Sequence, residues 1–211
     1  MRYCSGDDGE LLWHAGVSGA WSGTHLELSS GGRTVDAYFG RYAVTASLER
    51  RLGDRWTLGG ALGATVAGTL DLDGAESDLS PGPLAAVTAS FRPLDEGDIA
   101  PFLLLTGSVA ASLAWTKPAG GGPTSTFTAG DVRLGAVVGK TIAHAVTPYL
   151  LARAFGGPVS WSIAGRSASG TDANHYQVGA GVSVHVERFD LVVEGVPLGE
   201  LGLVAGAGLS F

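Results

Sequence analysis

The 211-residue sequence predicts an all-β chain closed into one antiparallel up-and-down barrel of about ten strands, or eight if the first or ninth strand fails. Three observations predict it. Apolar residues alternate with small or polar ones along almost the whole chain, which is the period of a strand with two different faces. The connections alternate between short turns and longer polar loops. Several strands pair an apolar face with an opposite face that carries almost no charge, a poor surface for a sheet in water.

The elements follow in order from this alternation and from turn chemistry at the breaks. Leu11, Trp13, Ala15, Val17, Gly19 and Trp21 oppose His14, Gly16, Ser18 and Ala20, predicting a first strand over 11–22. Tyr38, Tyr42, Val44, Ala46 and Leu48 oppose Phe39, Arg41, Thr45 and Glu49 in a second, over 34–51. The third, 56–72, sets Trp56, Leu58, Leu62, Val66 and Leu70 against Thr57, Gly59, Ala61, Gly63, Thr65, Ala67 and Thr69. Further strands are expected over 82–93, 99–115, 126–142 and 147–163, the last interrupted by Gly156-Gly157-Pro158, where a bulge or kink is expected. Strands over 174–187, 190–196 and 200–211 complete the set, with Tyr176, Val178, Val182, Val184 and Val186 opposing Gln177, Gly179, Gly181, Ser183 and His185. Residues 1–10 read as a short N-terminal segment and 11–211 as the barrel domain.

Which face meets which solvent follows from the third strand. Seven alternate positions from Thr57 to Thr69 carry no charge, so this face suits a lumen, and the Trp, Leu and Val face suits lipid. The strand also exceeds the five or six residues usual in globular sheets and fits a tilted strand crossing an apolar band of about 25 Å. A closed barrel satisfies every backbone donor and acceptor inside hydrocarbon, so a transmembrane barrel is the expected architecture. Tight turns at 53–55, 95–98, 144–146 and 188–189 mark one rim, and SSGGRT, DGAESDLSPG, KPAGGGPTS and GRSASGTDAN the other. Trp13, Trp56 and Phe211 are expected in an aromatic girdle at the short-turn rim, and Trp21, Tyr38, Trp115 and Trp161 at the opposite one.

Composition excludes other classes. Charged residues are only 16% and the net charge is −7, which argues against phosphate-backbone recognition and so against nucleic acid. A single cysteine, Cys4, excludes an internal disulfide framework. No stretch of 18 apolar residues and no apolar leader occurs in this chain, so neither a transmembrane helix nor a signal peptide is read in it.

The alternating strands that end in LGLVAGAGLSF resemble the bacterial outer-membrane β-barrels. The resemblance spans residues 11–211 and implies an integral outer-membrane location, with the bilayer as partner. It also implies recognition by the barrel assembly machinery, carried here by Ala207, Leu209 and Phe211.

Candidate functional residues are the few inward charges: Arg41, Asp131, Arg133, Arg153 and Glu194 are expected to form a lumenal cluster. Such a cluster either selects small solutes or ties the wall together. Lumenal glycines leave space, so a water-containing cavity is expected. No metal site is expected from five scattered histidines, and no cofactor. The omptin-like proteases share ten strands and a D-x-D motif, matched in form by Asp71-Leu72-Asp73, but their D-x-H partner has no counterpart and a tall cleft is not expected. The reading is therefore non-enzymatic: a narrow passive pore or a structural envelope protein, with an autotransporter-like translocator and a rim hydrolase as alternatives.

Overall fold

The computed structural model describes residues 12–30, 32–72, 74–163 and 166–211. The N-terminal segment 1–10 with Cys4, the expected strand start at Leu11, and Asp73 lie outside the described residues. Strands β1 (Trp13–Ser30), β2 (Arg33–Leu52), β3 (Trp56–Leu72), β4 (Ala75–Ser80), β5 (Gly82–Leu94), β6 (Phe102–Pro118) and β7 (Ser125–Gly139) come first. They are followed by β8 (Val146–Gly156), β9 (Val159–Ile163), β10 (Arg166–Asp172), β11 (Tyr176–Val186), β12 (Phe189–Gly199) and β13 (Leu201–Ser210). These thirteen segments form one continuous antiparallel sheet.

The sheet closes twice. Near the short turns the ring runs β1-β2-β3-β5-β6-β7-β8-β11-β12-β13 and returns to β1, ten strands as expected from the sequence. Beyond the β12–β13 hairpin the ring continues as β1-β2-β3-β4-β6-β7-β9-β10, eight strands closed by pairing of Leu26–Ser29 with Asp172–Ser169. The hairpin stops early because Gly199 adopts a φ of +84°, and a Cβ there would lie 1.8 Å from the Tyr176 carbonyl oxygen. Only glycine accepts both demands. With β12 and β13 ended, β10 lies beside β1 and seals the upper ring.

The two tiers have opposite polarity. In the ten-stranded tier the outside is apolar: Val17, Leu62, Val87, Leu134, Leu150 and Val193 are all exposed, and the inside is Gly, Ala, Ser and Thr. The span from Trp13 to Trp21 on β1 matches the roughly 9–11 residues that a tilted strand needs to cross hydrocarbon. In the eight-stranded tier the same inward face becomes Leu26, Leu28, Ala37, Phe39, Leu70, Leu79, Phe127, Val159, Trp161 and Ala168, all buried in one cluster. Its outer face carries Glu27, Asp36, Asp78, Thr126, Ser160 and Ser169. The lower tier is built for lipid outside and the upper tier for water outside.

This inversion corrects several expectations. The segments DGAESDLSPG and GRSASGTDAN are not simply loops, since they contain β4 and β10. Trp161, expected in the girdle, is 4% exposed inside the upper tier. The Gly157-Pro158 break interrupts the strand without a bulge: Val132 pairs with Gly156 and Ala129 with Val159 in one continuous register, so Trp161 stays on the inward face of Arg153. Leu70, expected towards lipid, is fully buried because an irregularity beside Val66 exchanges the faces of β3.

The remaining rim aromatics point outward. Trp13, Trp56 and Phe211 are exposed at the short-turn end, with Arg50 over the Trp13 ring and Trp56 tilted against Phe91. Trp115 is exposed at the other end, while Trp21 and Tyr38 are half-buried there, side by side over Gly23.

Leu62 sits mid-belt at 72% exposure. Leu62→Arg is expected to destabilise the barrel by about 2–4 kcal/mol, as a cation near the bilayer midplane does. Urea unfolding of the two proteins in lipid vesicles measures this, and no loss of stability would place the belt outside the bilayer.

Candidate functional site

The lumen below the apolar core is occupied by long side chains lying flat along the wall. They fit because glycines on the neighbouring strand leave room: a Cβ at Gly181 would meet the Tyr149 ring, one at Gly135 the Arg153 side chain, one at Gly208 His14, and one at Gly59 Glu49. The sequence alone suggests that these glycines leave empty lumen. They are recesses, and the side chains of adjacent strands fill them.

Three polar groups follow one another from the step to the short-turn rim. At the step, Arg133 on β7 contacts Asp131 and donates to Glu200 at 2.9 Å, crossing from one wall to the tip of the β12–β13 hairpin. Gln177 Nε2 donates to Glu200 at 2.6 Å. The Arg133 guanidinium stacks on Phe155 at 4.9 Å. Arg41 reaches from β2 across the lumen, with Nε 3.3 Å from Ser22 Oγ and Nη1 3.4 Å from Ser112 Oγ on β6. Thr24 donates to Asp172 at 3.2 Å in the same layer.

The second group joins β8 to β12. Arg153 holds Glu194 with both guanidinium nitrogens, at 2.8 and 3.1 Å, and the Tyr149 hydroxyl adds a third donor at 3.2 Å. A bidentate pair fixes orientation as well as charge. The third group lies near the short turns: Asp190 on β12 contacts His185 Nδ1 and lies 3.0 Å from His14 Nε2, and Ser183 Oγ lies 3.3 Å from His185 Nε2.

The five charges singled out from sequence thus fall into separate sets. Arg133 pairs with Asp131, Arg153 with Glu194, and Arg41 meets hydroxyls instead of a carboxylate. Glu200 gains its role from the short hairpin that brings it over Arg133. His14, His185 and Asp190 are far apart in sequence, and only ring closure places them together. Asp71 faces away from the lumen and accepts the Gly74 amide at 2.8 Å in the β3–β4 turn, an ordinary turn contact. The tier above the lumen is packed with apolar side chains.

On the short-turn rim, Glu96 ties two turns together. It accepts the Thr141 amide at 2.8 Å and hydroxyl at 2.7 Å, with Lys140 Nζ at 3.4 Å. Burial pushes its pKa up, but the Thr141 donors and Lys140 outweigh this and hold it below the ordinary value. Glu96 therefore stabilises the fold while ionised. The contribution is complete above the unfolded glutamate value near 4.3 and is lost as pH falls through the lower folded value. Glu96→Gln is expected to unfold earlier in urea than the parent at pH 7, with the difference vanishing in acid; an equal difference at both ends would refute it.

The sequence matches no protein-family model and no curated relative. Among solved structures, the chain is similar to the outer membrane protease OmpT from Escherichia coli, with a TM-score of 0.62 at 13% identity over 95% of this chain and 97% of that one. It is similar also to the translocator domain of the autotransporter NalP from Neisseria meningitidis, with a TM-score of 0.52 at 13% identity over 97% and 90%. The chain thus has the fold of the bacterial outer-membrane β-barrels.

Proposed function

We propose that this chain is a structural barrel of the bacterial outer membrane, closed to solutes, that carries a small water-facing β-barrel head on its outer side. The observation that supports this is the apolar core of the eight-stranded tier. Phe39 and Phe127 stack at 4.7 Å with an interplanar angle of 23°, and the Trp161 indole donates to Thr116 at 2.8 Å beside them. A conducting path needs polar groups to replace ion hydration, and this layer offers hydrocarbon. Beneath it, Arg41 and Arg133 span the lumen as cross-ties.

The same core disfavours the pore and translocator alternatives, because a passing solute or polypeptide would have to displace packed aromatic rings. Assembly fits the outer-membrane route: the outward Ala207, Leu209 and Phe211 lie on the closing strand, and Phe211 exchanges backbone hydrogen bonds with Trp13 at 2.9 Å in each direction. We assign to this face the contact with the barrel assembly machinery.

Conductance in a planar bilayer tests the proposal. The refolded chain is expected to insert without a steady conductance, and a stable ohmic current from the unaltered chain would overturn the closed reading in favour of a pore.

A further inference from the structure

We propose that Ser183 is a base-activated nucleophile in the lumen near the short-turn rim, able to take an acyl or phosphonyl group from a small, uncharged, activated ester. Three contacts carry this. Ser183 Oγ lies 3.3 Å from His185 Nε2, His185 Nδ1 contacts Asp190 Oδ1, and Asp190 Oδ2 lies 3.0 Å from His14 Nε2. Each imidazole nitrogen of His185 therefore has its own partner in the order that acyl transfer by serine needs: nucleophile on one nitrogen, carboxylate on the other.

The strand geometry enforces that order. Ser183 and His185 are two apart on β11 and so share its inward face, and Asp190 lies directly across from His185 on β12. His14 Nε2 on β1 lies 3.0 Å from the second oxygen of Asp190, and Gly208 on the intervening strand leaves room for the imidazole. Glu49, opposite His14 on β2, is the next charge along the wall. Asp190 and His14 are positioning residues, and His185 is the base.

In the reaction, the Ser183 oxygen bonds to the carbonyl carbon or phosphorus as its proton passes to His185 Nε2. The bond to the leaving group then breaks, and that group, the alkoxide of an ester or the fluoride of a fluorophosphonate, takes the proton from His185. An acyl group would later be removed by water in the reverse sense, whereas a phosphonyl group stays. The barrel ladder engages the wall's backbone N–H groups, so no backbone oxyanion hole faces Ser183, and one missing donor alone slows such chemistry by about 10²–10³. The site is therefore a slow acyl acceptor, and labelling reads it better than turnover.

The test uses the full chain refolded in detergent micelles and a fluorescent alkyl fluorophosphonate, with the adduct located by peptide mass spectrometry and folding checked by heat-modifiable gel mobility. One adduct on Ser183 is expected, absent in Ser183→Ala and slowed about 10²-fold in His185→Gln, the usual size of a lost general base. Ser47→Ala, a lumenal serine outside the constellation, is expected to label like the parent. Asp190→Asn, which removes the carboxylate that orients His185, should slow labelling with heat-modifiable mobility unchanged, and Asp190→Glu should recover part of the rate. A folded parent with no adduct on Ser183, or with equal labelling at Ser47, would overturn the proposal. Neither result bears on the closed outer tier, which conductance tests separately.

Discussion

Phe127→Ala is expected to destabilise the protein by about 3–5 kcal/mol, the usual consequence of emptying a fully buried aromatic site. Phe127 is 1% exposed and stacks on Phe39, and ring pairs of this kind add about 0.5–1.5 kcal/mol beyond area burial. The surrounding walls are hydrogen-bonded strands in a closed ring, which cannot collapse into the void as a loop would. Urea unfolding in micelles should show a lower midpoint, while Val17→Ala, which shortens a lipid-facing side chain, should change it far less. Combining Phe127→Ala with Phe39→Ala removes both stacked rings and is expected to admit current where the parent shows none. A double variant as stable and as silent as the parent would mean that these rings do not close the outer end.

Arg133→Leu is expected to be comparably severe. The arginine is the shared partner of Asp131 and Glu200, and Glu200 is only 5% exposed in its side chain. Removing one member of a buried ion cluster strands the others, which typically costs about 3–5 kcal/mol. Gln177 supplies Glu200 with one remaining donor, so adding Glu200→Gln to Arg133→Leu should recover part of the loss. Arg133→Lys should fall between the parent and Arg133→Leu, because an ammonium keeps the charge but lacks the planar fork that faces two carboxylates. Thermal unfolding followed by gel mobility compares the four proteins; a double variant less stable than Arg133→Leu would show that stranded charge is not the dominant loss.

Much of the lower tier was legible because lipid imposes a simple rule. Outward Val178, Val182 and Val186 and inward Gly179, Gly181 and Ser183 alternate without exception, and the ring of ten follows from counting such runs. Above the membrane the rule reverses, and a reading that equates apolar with outward then fails at Trp161. Leu70 was misplaced for a second reason, the irregularity beside Val66 that exchanges the faces of β3 and leaves no mark in an alternating sequence. Among the lumenal charges, Arg153 and Glu194 were legible as inward residues. The link from His14 to Asp190 was not, because no local pattern announces which strands meet when a barrel closes.

The change from ten strands to eight means that β1 is claimed by two different parts of the chain. Its lower half pairs with the C-terminal strand, where His14 meets Ser210, and its upper half with β10, where Ser29 meets Ser169. Either closure brings distant segments together against loop entropy, a term that grows only slowly with loop length once closed. After one seam has formed, the second joins residues already held close, and most of its entropic penalty has been met. The two seams therefore favour each other, and the first strand acts as a common hinge post on which both rings latch.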